Sequence, residues 1–65
     1  MNYAKEIKIR EEANGLLLNK LTWIKKEIKD GVDVELNKLR IGPILFSVFA
    51  NNKLINEYRK MLAPK

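Results

Sequence analysis

Leu17, Leu21, Ile24 and Ile28 recur at intervals of four, three and four, which lines them along one face of a helix. Lys20, Lys25, Lys26 and Lys29 fall largely off that face, and Trp23 lies beside the stripe at the expected edge of a core. The helix is expected to end at Asp30-Gly31, because a glycine just past the last turn adopts the left-handed conformation and Lys29 suits the negative end of the helix dipole. Upstream, residues 2 to 14 mix charges with Tyr3, Ala4, Ile7, Ile9 and Ala13, and Glu6 stands four before Arg10, the favourable order for a helical ion pair. A helix is predicted here. The alternation Ile7-Lys8-Ile9-Arg10 also fits a short strand, although no second strand is evident to pair with it. Gly15 weakens a helix by about 1 kcal/mol relative to Ala, so a kink is expected near residues 14-15.

The second half of the chain carries more punctuation. Asp33 is a candidate N-cap for a short helix from Val34 to Leu39 or Arg40, with Glu35 in its first turn and Leu36 and Leu39 pointing inward. Gly42 then offers a turn, and Pro43 fits the first position of a new helix, where its missing amide hydrogen has no partner to lose. From Pro43 to Ala50 the chain is apolar on every side of a helix apart from Ser47. Asn51-Asn52 can end that helix and start a fourth at Lys53, with Leu54, Ile55, Tyr58, Met61 and Leu62 on its apolar face. Alternatively, one helix runs from 43 to 62. Ile44, Val48, Asn51, Ile55, Tyr58 and Leu62 would then form a coiled-coil seam whose polar Asn fixes the register. The broken form is the expected one. The fold class is therefore all-α, a single domain over residues 1–65 with three to four helices.

Composition narrows the chemistry. The 65 residues hold no Cys and no His, which removes the commonest groups for neutral-pH proton transfer, thiol chemistry and transition-metal binding. Ser47 has no imidazole to activate it, and Gly15, Gly31 and Gly42 are too scattered for a phosphate loop. Neither an enzyme nor a cofactor or metal protein is expected. Charges among residues 1 to 10 contradict an export signal, and the uncharged stretch from Ile41 to Asn52 is shorter than the ~20 residues of a membrane helix. An intracellular protein without membrane contact is the expectation.

Several features together suggest nucleic acid. Asp30-Gly31 after a helix, a short helix, Ile41 and Pro43, Phe46 and Phe49 three apart, an Asn-containing turn, and Leu54 four before Tyr58 resemble the helix-turn-helix domain of phage terminase small subunits. The resemblance covers about residues 30-61, with the helix-turn-helix at 33-51. It implies that Pro43 to Ala50 face a DNA groove, with Phe46 and Phe49 on the buried side and Ser47 and Asn51 on the outer side.

The charge of +5 lies mostly in residues 13 to 31, which sum to +2, and 53 to 65, which sum to +3. On this reading the chain is a DNA-binding regulator, acting as a homodimer on double-stranded DNA. Lys25, Lys26, Lys29, Arg40 and Lys53 hold phosphates, while Ser47, Asn51 and Asn52 approach bases. Ile44, Leu45 and Val48 cannot bond base edges, however, and with Met61 and Leu62 they suit a dimer or partner interface. The alternative is a helical protein-interaction module or inhibitor that presents the same apolar segment to a polypeptide.

Overall fold

The computed structural model describes residues Asn2 to Ala63, which form two helices, α1 (Tyr3–Lys29) and α2 (Val34–Leu62). The two lie side by side as an antiparallel hairpin, a rod of 52 × 16 × 15 Å. No helix among the described residues is long and apolar enough to cross a membrane.

Both helices follow one rule. Along α1, residues 3, 7, 10, 14, 17, 21, 24 and 28 are half-buried or buried, and along α2 so are 34, 37, 41, 44, 48, 51, 55 and 58. Each set steps by alternating threes and fours, the repeat that keeps one seam facing a partner helix. The hydrogen bond from Asn51 Nδ2 to Asn14 Oδ1, 3.0 Å long, fixes their relative level. That register sets Leu17 against Val48, Leu21 against Ile44 and Ile24 against Ile41. Ile7, Leu21, Ile24 and Ile55 are the apolar side chains buried in it.

Polar groups in the seam are joined to one another. Arg10 Nη1 donates to Asn51 Oδ1 at 3.1 Å, and Asn14 Nδ2 donates to Asn52 Oδ1 at 2.9 Å, so a chain of bonds crosses between the helices. The Arg10 guanidinium also lies 5.8 Å from the centre of the Tyr58 ring, which packs 5.5 Å from Tyr3.

The connection forms where it was expected. Asp30 caps α1, Gly31 takes φ +77°, and the amides of Gly31 and Val32 donate to the carbonyls of Ile28 and Glu27. This pairing satisfies two of the carbonyls that a helix end leaves free. Lys26 and Lys29 stand in the last turn, facing the negative end of the dipole. Asp33 does precede α2, but at φ 42° its side chain makes no capping bond. The turn is held instead by Asn37, which is 0% exposed and donates to both Glu27 Oε2 and the Val32 carbonyl.

Two expected breaks are absent. α1 passes through Asn14-Gly15, and α2 passes through Gly42-Pro43 and Asn51-Asn52, so two helices stand where three or four were expected. The physical reason is the seam. Pro43 is exposed on the flank of the seam and takes no seam position, whereas a break there would disengage Ile41 or Ile44. Asn14 and Asn51 act as seam partners rather than as helix punctuation. Residues 7 to 10, which also fitted a strand, are helical.

Three stability measurements test these assignments. Pro43→Ala restores an amide donor on an exposed turn of α2 and is expected to stabilise the hairpin by about 2 kcal/mol. Thermal denaturation should record a rise of roughly 10 °C. Asn37→Asp removes two donors and sets a carboxylate against Glu27, so it should cost about 3 kcal/mol by urea titration. Asn51→Leu strands Arg10 and Asn14 and should cost about 1–3 kcal/mol, part of which returns when Asn14→Leu is added.

Candidate interaction surface

The faces turned away from the seam differ sharply between the helices. On α1 that face carries Lys5, Lys8, Glu12, Gly15, Asn19, Thr22, Lys26 and Lys29, all exposed and none with a large apolar side chain. On α2 the equivalent positions are 35, 39, 42, 46, 49, 53, 56 and 60, occupied by Glu, Leu, Gly, Phe, Phe, Lys, Asn and Lys. These too step by alternating fours and threes. The centre of the stripe is apolar. Leu39, Phe46 and Phe49 are 75%, 76% and 78% exposed, more than any other large apolar residue among those described.

Around this stripe lie two further apolar hollows. Leu45, Phe46, Phe49 and Ala50 line one on α2 itself, with Lys53 at its margin. The other runs between the helices, where Leu17, Trp23 and Ile24 of α1 meet Pro43 and Ile44 of α2, flanked by Lys20 and Arg40. Trp23 is 65% exposed, and its Nε1 donates to Glu27 Oε1 at 2.6 Å. Since the other oxygen of Glu27 accepts from Asn37, the turn network also sets the position of the indole.

The expected site residues are dispersed over this frame. Lys25, Lys26 and Lys29 are exposed on the last turns of α1, while Arg40 is exposed on α2 with Nη1 3.4 Å from Asn37 Oδ1. Ser47 is exposed among apolar neighbours. Asn51 is half-buried, with both its side-chain oxygen and its nitrogen bonded inside the hairpin, and Asn52 accepts from Asn14. Their amides are engaged in holding the helices together. Lys53 is exposed and close to Phe49 and Ala50. Of the residues expected at an interface, Ile44 and Val48 are half-buried on the α1 side, whereas Leu45, Met61 and Leu62 are exposed.

Five positions are corrected, among them Asn51, which the resemblance put on the outer side and which is half-buried in the seam. Leu36 and Leu39, expected to point inward, are exposed, because the seam selects Val34, Asn37 and Ile41 instead. Phe46 and Phe49, placed on a buried side by the helix-turn-helix resemblance, stand outside for the same reason. The missed signal is the spacing of Leu39, Gly42, Phe46 and Phe49, a second apolar repeat superimposed on the one that faces α1.

No family model, no curated protein and no solved structure matches this chain.

Proposed function

We propose that this chain is a helical protein-interaction module whose working surface is the outer face of α2 between residues 39 and 50. The supporting observation is that α2 from residue 43 to 50 is apolar on all sides apart from Ser47 while α1 covers one side only, leaving Leu39, Phe46 and Phe49 in water. A helix that is hydrophobic all round is ordinarily an inner helix. Removing such a surface from water is favourable by about 25 cal/mol per Å², and an apolar polypeptide face is the surface that can do it. Nucleic acid offers the centre of this patch little, since Leu39, Phe46 and Phe49 bond neither phosphates nor base edges, and the polar Arg40, Ser47 and Lys53 stand beside them.

A second reading, DNA binding, is favoured by the exposed Lys25, Lys26 and Lys29 at the turn end of α1. Such contacts would be electrostatic and indifferent to sequence. A helix-turn-helix within residues 33–51 would further require α2 to open near Gly42, at the expense of the Ile41 and Ile44 seam contacts.

Photo-crosslinking separates the two readings. A benzophenone side chain at Phe49, irradiated in cells that express the chain from its own gene, should give a polypeptide adduct. Phe46→Asp should cut its yield about tenfold, since a charge placed in a desolvated apolar contact is strongly opposed. A nuclease-sensitive adduct, or none, would overturn the interaction reading.

A further inference from the structure

We infer that the outer face of α2 is filled by the same face of a second copy, antiparallel, so that the two α2 helices pair at the centre of a two-fold dimer with α1 outside each. This rests on the reading of that face as an interaction surface and names its occupant. The stripe Glu35, Leu39, Gly42, Phe46, Phe49, Lys53 is a coiled-coil seam by its spacing. In an antiparallel pair each layer joins unlike seam positions of the two helices. One register then matches every layer. Glu35 meets the second copy's Lys53, Leu39 meets its Phe49, and Gly42 meets its Phe46, after which the two-fold axis repeats the set in reverse.

Each match has a structural counterpart on the protomer. Open space lies over Gly42, since an added Cβ would have no atom within 4 Å, and that notch receives a phenyl ring. The side chain of Glu35 is 91% exposed and approaches Lys38 only at 4.0 Å, leaving it available to the copy's Lys53. Other alignments are poorer. Sliding by seven residues one way keeps an ion pair, Glu35 with Lys60, and brings Phe46 against Phe49, but it sets Gly42 against Lys53 and Leu39 against Asn56, whereas the other way sets Glu35 against Phe46. A parallel in-register pair sets Glu35 on Glu35 and Lys53 on Lys53, with like charges at both ends.

The surface area permits this. The protomer exposes 5336 Å², roughly 1,000 Å² above the about 4,300 Å² that a compact 7.6 kDa chain presents. The 52 × 16 × 15 Å rod shape carries that excess, and it leaves room for a standard interface, which removes about 800 Å² from each partner.

Sedimentation of the purified 65-residue chain tests this at concentrations around 100 µM, where a dimer is expected. Gly42→Leu fills the notch with a better helix former and should give a monomer that is no less helical. Glu35→Lys or Lys53→Glu alone should weaken the dimer about tenfold, because each reversal creates two like-charge contacts per dimer. The double reversal should return affinity to within about threefold of the starting chain. A monomeric parent chain, a dimer indifferent to Gly42→Leu, or single reversals that the double variant does not repair would each overturn the inference. The mass of the photo-adduct keeps the two proposals apart. An adduct of twice the chain mass supports both, one with a different polypeptide retains the interaction reading and overturns the second copy, and none overturns both.

Discussion

A two-helix hairpin gives each helix one neighbour, and the rest of this structure follows from that constraint. One seam can bury roughly a third of a helix circumference, so the apolar core is a single file dominated by Ile7, Leu21, Ile24 and Ile55. α1 comes nearer this limit, with a polar back opposite the seam, although Ile9, Leu16, Leu18 and Trp23 are exposed on its flanks. α2 departs further. Its residues 36 to 50 carry apolar side chains on faces that α1 cannot reach, so the asymmetry between the helices is written into their composition rather than into the way they dock.

The seam also contains more polar groups than stability alone would select. Asn14, Asn37, Asn51 and Arg10 take positions where Leu or Ile would bury more apolar area. The bonds they make across the hairpin belong to one alignment, although Arg10 Nε has no partner in it. A shift of one heptad would put Tyr58 or Ile44 in the place where Asn51 meets Arg10, and would separate Asn14 from Asn51. Buried amides of this kind favour one register over others at a cost in stability. The Glu27–Asn37 link reinforces the choice from the turn, 2.8 Å long and close to where the chain reverses. Register matters here because it decides which residues of α2 remain outside.

Much of α1 was legible in the sequence, and much of α2 was not, for a definable reason. The stripe Leu17, Leu21, Ile24, Ile28 and the stop at Asp30-Gly31 are local signals that tertiary packing reinforces. In α2 the local and long-range signals conflict. Gly42-Pro43 and Asn51-Asn52 disfavour helix by a few kcal/mol in sum, and sequence-local rules give them priority as boundaries. The three-four repeat runs unbroken through both, from Val34 to Tyr58, and continuous packing against α1 outweighs the local cost. Asn51 was recognised as a register-setting residue only in the unbroken alternative, which the structure adopts from residue 43 to 62. The exposed stripe was harder to see, since with two apolar repeats on one helix the sequence does not say which of them meets α1. Partner geometry decides it, through Asn14 and Arg10.

Two superimposed repeats on α2 also explain where its proline can stand. Pro43 belongs to neither the set 34, 37, 41, 44, 48, 51, 55, 58 nor the set 35, 39, 42, 46, 49, 53, 56, 60. Its ring faces the flank beside Trp23, and the backbone hydrogen bond it forgoes would have been accepted by the Leu39 carbonyl, one turn earlier. A proline at 41 or 44 would remove a half-buried isoleucine from the seam with α1, and one at 42 would fill the notch on the outer face. The helix therefore tolerates its strongest breaker at a position that serves neither packing surface. That is the pattern expected of a helix with neighbours on two sides, and the hairpin by itself supplies one.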